Sequence, residues 1–327
     1  MDNTILRVNH LKTNFYTSYG EVRAVDDISF SLRKGEILCL VGESGCGKTT
    51  VALSVLRLLD SPPGKILGGE ILFSGEDLLR CSVDRLRQIR GNKIAMIFQD
   101  PQSSLNPVLT IGDQIEEPLK LHLRLNHKEA MVRTANLMAQ VGIPMAREHL
   151  RDYPHQFSGG MKQRVMIAAA LSCNPEILIA DEPTTALDTT VKAQILEIFQ
   201  DIKQKTSMSI LFITHDLGTV AGIADRIVVM YGGKIVEAGT TLDIFDQPGH
   251  PYTRGLLNCL PSVSTSKDRL ISIQGTIPSL INPPGGCIFH PRCESRMPVC
   301  KEVSPKESLI SGEHIVACHL YEQERIA

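Results

Sequence analysis

Short runs of apolar residues recur along the chain, separated by segments in which apolar residues return every three or four positions. The runs at residues 37–41, 94–98 and 177–180 contain only apolar side chains, which predicts strands buried on both faces of a sheet. Residues 50–59 and 191–202 have the helical period instead. Strands that alternate with helices predict an α/β fold with a mostly parallel sheet, which binds ligands at the carboxyl ends of its strands.

Three segments depart from this alternation. Residues 5–36 alternate apolar and polar side chains, which predicts antiparallel sheet. Residues 102–172 carry helical periodicity interrupted by glycine and proline, which predicts a helical insertion between strands of the sheet. After about residue 245 prolines become frequent, and we expect a loop-rich appendage. We therefore divide the chain into a domain of residues 1–245 and a C-terminal region of residues 246–327.

Composition narrows the class of protein. The chain has 327 residues, of which 43% are hydrophobic and 21% charged, with a formal net charge of −2. These values are ordinary for a globular protein and give no electrostatic case for nucleic acid. No apolar run reaches the length of a membrane span, and Met1–Thr4 lacks the basic start of a secretory signal. We expect a cytosolic protein whose membrane role, if any, comes through other chains.

The segment Gly42-Glu43-Ser44-Gly45-Cys46-Gly47-Lys48-Thr49 satisfies the phosphate-loop pattern G-x-x-x-x-G-K-[ST] between a predicted strand and a predicted helix. Its glycines let backbone amides curl around a polyphosphate. Lys48 is predicted to reach the β- and γ-phosphates and Thr49 to bind Mg²⁺. The alternative is a glycine-rich turn that ends in an exposed lysine, but the flanking strand and helix favour nucleotide binding. Of the nearby aromatic residues Phe15, Tyr16 and Tyr19, we choose Tyr19 to stack on the base.

Polar residues follow three other predicted strands. Asp181 and Glu182 close one strand, Gln99 follows another and His215 follows a third. Phosphoryl transfer to water needs a metal, an oriented water and a group that takes up a proton or charge. Asp181 is predicted to hold Mg²⁺, Glu182 to activate the water, Gln99 to bridge metal and water, and His215 to hold the γ-phosphate. Each of these residues alone could have an ordinary structural role. Their occurrence together with the phosphate loop favours a catalytic role.

A second glycine-rich cradle lies at Ser158-Gly159-Gly160, ahead of a predicted apolar helix at residues 165–171. The start of a helix is an anion-binding position. One nucleotide rarely needs two such cradles. We expect the second cradle to bind the nucleotide of a partner chain, with two chains arranged head to tail.

With these motifs in this order, residues 5–245 resemble the nucleotide-binding subunit of an ATP-binding-cassette (ABC) transporter. The resemblance implies a P-loop NTPase cassette, with a RecA-like core, an antiparallel β subdomain and a helical subdomain at about 102–172. It makes Asp188 part of the D-loop and His215 the switch histidine. We further expect the Gln99 region and residues 102–120 to sense the permeases, because they link the γ-phosphate to the helical insertion. Phe157 and Met161 replace the ends of the usual signature Leu-Ser-Gly-Gly-Gln.

The resemblance also implies the residues that contact ATP and Mg²⁺. The implied Mg²⁺ ligands are Thr49, Gln99 and Asp181, and the implied catalytic residues are Glu182, His215 and Gln99. The implied ATP contacts are Tyr19, Gly42, Ser44, Gly45, Cys46, Gly47, Lys48, Thr49, Thr50, Asp181, Ser158, Gly159, Gly160 and Asp188.

The C-terminal region resembles that of ATPases from dipeptide and oligopeptide permeases, a group that includes nickel importers. The similarity lies in residues 250–257, His-Pro-Tyr-Thr-Arg-Gly-Leu-Leu, and in four later cysteines. Such importers have an extracytoplasmic binding protein, two permeases and two related ATPases. The resemblance therefore implies a peripheral subunit at the cytoplasmic face of the membrane, paired with a similar but non-identical ATPase.

The four cysteines Cys287, Cys293, Cys300 and Cys318 lie within 32 residues. In a cytosolic chain this density favours a metal over disulfides. None of the three gaps matches the paired C-x₂₋₄-C spacing of zinc sites. The resemblance implies a [4Fe-4S] cluster held by these four residues; zinc is the second alternative and four unligated thiols the third.

Other functions stay open at this point. Nickel or another small solute is the alternative to peptides, because the cassette itself does not touch the cargo. A soluble cassette ATPase of DNA repair or translation is a second alternative, although such chains usually carry long coiled coils or two cassettes. The third is a non-catalytic redox sensor that uses ATP only to dimerise.

Overall fold

The computed structural model describes residues 3–260 and 273–322. The chain forms two compact units. The first comprises Met1–Leu32, Ile37–Leu79 and Thr214–Ala327, and the second comprises Arg33–Glu36 and Arg80–Ile213. No helix in the described ranges is both long enough and apolar enough to cross a membrane.

The elements are as follows in chain order. The strands are β1 (Thr4–Thr17), β2 (Gly20–Arg33), β3 (Ile37–Val41), β4 (Gly64–Phe73), β5 (Glu76–Asp77), β6 (Ile94–Ile97), β7 (Ile177–Asp181), β8 (Ser209–Thr214), β9 (Arg226–Tyr231), β10 (Lys234–Thr240), β11 (Glu307–Ser311) and β12 (His314–Ala317). The helices are α1 (Lys48–Val55), α2 (Val83–Ile89), α3 (Pro101–Ser104), α4 (Ile111–Leu123), α5 (His127–Gln140), α6 (Gly159–Leu171), α7 (Thr189–Lys205), α8 (Leu217–Val220), α9 (Thr241–Asp246) and α10 (Pro251–Asn258).

The first unit contains an antiparallel sheet and a run of strands that ends at β3. The antiparallel sheet has the order β2-β1-β4-β5, as the alternating pattern near the N-terminus predicts. The other strands follow the order β11-β12-β10-β9-β3, in which β3 and β9 are parallel and pair Val41 with Val229. All five residues of β3 are buried, so the loop that follows it starts from a fixed position.

The C-terminal region is more regular than its sequence predicts. Beyond residue 245 it contains α10 and the β11–β12 hairpin, and β12 extends the sheet by pairing with β10, Glu237 opposite Val316. The strand pattern is too short to read from sequence, because β12 has only four residues. Burial of His314 and Val316 on this strand gives the hairpin a packed face.

The second unit contains three parallel strands and the predicted helical insertion. β6, β7 and β8 pair in the order β8-β7-β6, with Ile97 opposite Ala180 and Asp181 opposite Ile213. Helices α4, α5 and α6 contact one another. Ile115 and Met138 are fully buried there, so the apolar stripes of these helices form the core of the insertion.

Two predicted helix limits were wrong. α1 stops at Val55 and not at Leu59, because Arg57 adopts a positive φ of 50° and the Leu58 amide donates back to the Leu53 carbonyl at 2.8 Å. This is the bond that closes a helix C-terminus. α6 starts at Gly159, six residues before the predicted apolar stretch, since the glycines of the second cradle are themselves helical.

Candidate functional site

The phosphate loop of the first unit connects β3 to α1. Gly47 caps α1 with a φ of 103°, a conformation that residues with a Cβ rarely adopt. A Cβ at Gly47 would lie 2.1 Å from the Ala24 carbonyl oxygen, and one at Gly42 would lie 2.2 Å from the Met230 carbonyl oxygen. The loop therefore needs glycine at both positions to hold this shape.

Lys48 folds back into the loop. Its Nζ donates to the carbonyl oxygens of Gly42 at 2.7 Å and Glu43 at 3.0 Å, and the residue is buried. The ammonium and the start of α1 place positive charge within one loop, which suits a polyphosphate. Thr49 follows as an exposed residue and Thr50 is half-buried, so the Thr49 hydroxyl can reach a ligand bound at the loop.

Tyr19 and His215, two other predicted site residues, also belong to the first unit. Tyr19 lies at the turn between β1 and β2 and is 87% exposed. Tyr16 is 49% exposed, and a hydrogen bond with Glu21 raises its pKa. Tyr19 thus offers the more accessible ring. His215 follows the end of β8 and is exposed.

Gln99, Asp181 and Glu182 lie at the carboxyl ends of β6 and β7 in the second unit. The Gln99 Nε2 donates to Glu182 Oε2 at 3.0 Å, and Thr185 Oγ1 donates to the same oxygen at 2.8 Å. Glu182 has a positive φ of 47°, a costly conformation that often marks functional positions. Asp181 is 1% exposed. The structure thus brings the carboxylates of Asp181 and Glu182 and the amide of Gln99 to the carboxyl ends of two neighbouring strands.

The second cradle and Asp188 meet at α7. Ser158 caps α6 by accepting from the Met161 amide at 3.3 Å, and Gly159 has open space around its Cβ position. A Cβ on Gly160 would lie 2.7 Å from Val191. Asp188 caps α7 by accepting from the Val191 amide at 3.0 Å. The cradle and the Asp188 cap therefore approach the same turn of α7.

Three contacts at these sites were not predicted from the sequence. Thr185 donates to Glu182, and a threonine in the loop four residues after the end of β7 gives no signal of that role. Glu43 accepts a bidentate ion pair from Arg292, and the Glu43 amide donates to the Tyr252 hydroxyl at 2.9 Å. Tyr252 lies in the distinctive segment 250–257, which was the one available signal.

The four cysteines lie in one part of the first unit. Cys287, Cys300 and Cys318 are buried and Cys293 is half-buried, and none forms a disulfide. The Cys287 amide donates to the Cys300 carbonyl at 2.8 Å. Burial, together with the neighbouring thiols of the other three, raises the pKa of Cys318 to about 11. The four thiols are thus close enough to act on one another electrostatically.

Residues 3–260 and 273–322 contain no group of three or more His, Cys, Asp or Glu side chains placed to hold a metal ion. In a tetrahedral zinc site, every thiolate lies about 2.3 Å from one centre. In an iron–sulfur cluster the ligands bind separate irons, so the thiolates lie farther apart.

The comparisons with known proteins agree with this geometry. The ABC transporter family model matches residues 25–185, and the model for the oligopeptide/dipeptide transporter C-terminal region matches residues 236–300. The dipeptide transport ATP-binding protein DppD of Bacillus subtilis is 51% identical over 98% of this chain and 95% of its own length. The oligopeptide transport ATP-binding protein AppD of the same organism is 49% identical over 98% of each chain.

The solved structures that resemble the chain include two of the ATP-binding cassette MJ0796. Its dimeric structure in a post-hydrolysis state bound to ADP and Pi has a TM-score of 0.65 at 25% identity, over 72% of this chain and 98% of that chain. A second dimeric structure of the same cassette has a TM-score of 0.65 at 26% identity, with the same coverage.

Proposed function

The chain belongs to the ATP-binding subunits of ABC transporters, and from that membership we propose that it hydrolyses ATP to drive the import of dipeptides or oligopeptides. The observation that carries the choice of cargo is the match of residues 236–300 to the oligopeptide/dipeptide transporter C-terminal region. Relatives about half identical over nearly the whole chain bear dipeptide and oligopeptide transport names. Nickel or another small solute is the alternative cargo.

Each site residue has a chemical role in this proposal. Lys48 and the amides of the phosphate loop bind the β- and γ-phosphates. Thr49, Gln99 and Asp181 would hold Mg²⁺, because they supply the oxygen donors that this ion prefers, and the bound ion would neutralise phosphate charge. Glu182 takes the proton of the attacking water. Gln99 orients the Glu182 carboxylate and the water. His215 donates to the γ-phosphate.

The hydrogen bonds of Glu182 support its role as the base. Gln99 and Thr185 both donate to Oε2, which fixes the orientation of the carboxylate. A fixed base loses less entropy on reaching the transition state. The strained backbone at Glu182 is consistent with a position that is held for chemistry.

The second cradle and Asp188 are proposed to complete the site of a partner cassette. Ser158, Gly159 and Gly160 start α6 and present its positive end, and the MJ0796 cassette is dimeric. The proposed assembly contains a second, related ATPase, two membrane permeases that contact residues 102–120, and an extracytoplasmic peptide-binding protein. It places this chain at the cytoplasmic face of the membrane as a peripheral subunit.

We further propose that Cys287, Cys293, Cys300 and Cys318 hold a [4Fe-4S] cluster. Four neighbouring thiols without disulfides fit the donor set of such a cluster. Binding would replace the protons of these thiols, because a thiol binds a metal as the thiolate. The cluster would stabilise a region of short elements that has a small apolar core of its own.

The ATPase assignment is tested by hydrolysis with purified full-length chain. Lys48→Ala is expected to abolish nucleotide binding and hydrolysis together, because the loop loses its only side-chain cation. Lys65→Ala, at an exposed position on β4, is the matched control and is expected to behave as the wild type. Hydrolysis that survived Lys48→Ala would overturn the assignment of the phosphate loop.

The cluster is tested by anaerobic purification, a visible absorption spectrum and analysis of iron, sulfide and zinc on the same sample. Four irons and four sulfides per chain are expected. Zinc in place of iron, or no metal, would overturn the cluster. Neither result would change the ATPase assignment, since the phosphate loop and the Glu182 site do not include the cysteines.

A further inference from the structure

Glu43 puts a negative charge in the loop that is to bind polyphosphate. It occupies the second position of the phosphate loop, between Gly42 and Ser44, and its side chain is 27% exposed. A carboxylate this near to a nucleotide's phosphates repels them, and the repulsion is stronger where burial limits screening by water. Another group must therefore compensate the charge of Glu43 if the loop is to bind a polyphosphate.

The C-terminal region supplies a cation against this carboxylate. Arg292 Nη1 donates to Glu43 Oε2 at 2.7 Å and Nη2 donates to Glu43 Oε1 at 3.2 Å. This is the bidentate arrangement that aligns a guanidinium with a carboxylate. The Arg292 side chain is 4% exposed, so its guanidinium is shielded from solvent. Burial opposes the charge of Arg292, but its bonds to Glu43 and Tyr231 outweigh burial and raise its pKa.

Arg292 has no freedom to move away from Glu43. Nη1 also donates to the Tyr231 hydroxyl at 3.3 Å, Nη2 to the Ile273 carbonyl at 3.1 Å, and Nε to the Gln274 carbonyl at 3.0 Å. The guanidinium carbon lies 5.8 Å from the centre of the Tyr231 ring. The backbone of Glu43 is held as well, because its amide donates to the Tyr252 hydroxyl at 2.9 Å. Both the main chain and the side chain of Glu43 thus bind the C-terminal half of the first unit.

The segment that carries Arg292 also carries the cysteines. Arg292 ends the 3₁₀ turn His290–Arg292 and directly precedes Cys293. The turn starts from Cys287, whose carbonyl accepts from the His290 amide at 3.0 Å. Arg292 therefore joins the four-cysteine segment to the phosphate loop, although Glu43 and Arg292 are 249 positions apart.

We propose that Arg292 is a positioning residue for the nucleotide: it neutralises the Glu43 carboxylate and holds it aside, so that the phosphate loop can bind a polyphosphate. The proposal rests on nucleotide binding at residues 42–49, as the proposed function does. Its distinctive feature is the sign of the charge effect. Loss of the Arg292 charge weakens nucleotide binding, and loss of the Glu43 charge does not.

The test measures dissociation constants for ADP and for a non-hydrolysable ATP analogue, both with Mg²⁺, using the full-length chain purified anaerobically. Arg292→Gln is expected to weaken binding of the ATP analogue about tenfold, a loss of ~1.4 kcal/mol. Glu43→Gln is expected to bind at least as tightly as the wild type. The double variant Glu43→Gln/Arg292→Gln is expected to return close to the wild-type value, and the loss in Arg292→Gln is expected to shrink at high salt.

Two further variants keep the test decisive. Arg254→Gln is the matched control, because Arg254 also bonds within the C-terminal region, to the Pro248 carbonyl and the Tyr321 hydroxyl. It is expected to leave both constants unchanged. Arg292→Lys keeps the charge without the bidentate bond and serves if Arg292→Gln fails to fold. It is expected to bind the nucleotide within about twofold of the wild type. The affinity of Glu43→Gln still shows whether loss of the Glu43 charge weakens nucleotide binding.

Equal weakening by Glu43→Gln and Arg292→Gln, without recovery in the double variant, would show a structural brace and overturn the proposal. Unchanged affinity in Arg292→Gln would overturn it as well. A wild-type chain that bound no nucleotide would instead overturn the proposed function, so the two failures are distinguishable.

Discussion

Gln99 and Glu182 are joined by a hydrogen bond of 3.0 Å, from Nε2 of the amide to Oε2 of the carboxylate, across the ends of two parallel strands. The bond orients a carboxylate that is 7% exposed. Glu182→Gln keeps the size of the side chain and removes the base. We expect kcat for ATP hydrolysis to fall by about 10²–10⁴, the usual contribution of a general base, while ATP affinity stays within about twofold of the wild type.

Glu197→Gln serves as the control, because Glu197 is an exposed residue of α7 and makes the same chemical change. It is expected to hydrolyse ATP at the wild-type rate. A phosphate-release assay on the purified chain, combined with nucleotide titration, measures both quantities. Hydrolysis by Glu182→Gln at the rate of Glu197→Gln would rule Glu182 out as the base.

Cys293→Ser is expected to remove iron from the chain and to lower the melting temperature, because a hydroxyl is a poor ligand for iron in such a cluster. Cys293 is half-buried, so the replacement creates no large cavity. Cys259→Ser, at the end of α10 and outside the four-cysteine segment, is the control. Iron content and thermal unfolding are measured under anaerobic conditions. Equal iron in the two variants would exclude Cys293 as a ligand.

Leu109→Asp is expected to separate ATP hydrolysis from transport. Leu109 and Phe98 are 41% and 42% exposed, and both line a groove of about 360 Å³ in the second unit. An apolar groove lined by Phe98, the residue before Gln99, suits a permease segment, and a carboxylate there would be left without a partner. The purified variant should keep its basal hydrolysis rate, while peptide uptake by the assembled transporter should fall.

Val132→Asp is the matched control for that experiment, since Val132 is 45% exposed on α5 and does not line the groove. It should leave uptake unchanged. If Leu109→Asp supported wild-type uptake, the groove would not be the permease contact.

His250 is expected to make stability depend on pH. Burial, and then the charge of Arg254, lower the pKa of His250 from 6.5 to about 3. As the pH falls through 6.5, His250 takes up a proton in the unfolded chain but stays neutral in the folded chain. The folded state is therefore most stable relative to the unfolded state above pH 6.5, and it loses stability as the pH falls towards 3. Between pH 7 and pH 5.5 the difference amounts to about 1 kcal/mol of unfolding free energy.

His250→Asn should remove this contribution. Asparagine can accept from the Tyr252 amide as the His250 Nδ1 does at 3.0 Å, so the start of α10 is kept. Urea unfolding of both proteins at pH 7 and pH 5.5 gives the comparison. Equal pH dependence in the two proteins would contradict the neutral, buried state of His250.

The sequence predicts the strands and the phosphate loop well, because each is set by neighbouring residues. Continuous apolar runs identify β3 and β7, and the glycines at 42 and 47 occupy the positions that admit no Cβ. The sequence predicts the limits of helices less well. The start of α6 is set by the cap at Ser158, whereas the apolar pattern begins only at residue 165. The ion pair between Glu43 and Arg292 could not be predicted from the sequence. Its partners are 249 positions apart, and only the packing of the C-terminal region joins them.

The central claim is tested most directly by peptide uptake in cells that lack this chain and carry it back as the wild type or as Glu182→Gln. Uptake of a labelled dipeptide or tripeptide is compared with uptake of nickel and of a free amino acid. We expect the wild type to restore peptide uptake and Glu182→Gln to fail, with amino acid uptake equal in both. Peptide uptake that did not depend on the chain, or nickel uptake that alone depended on it, would contradict the account.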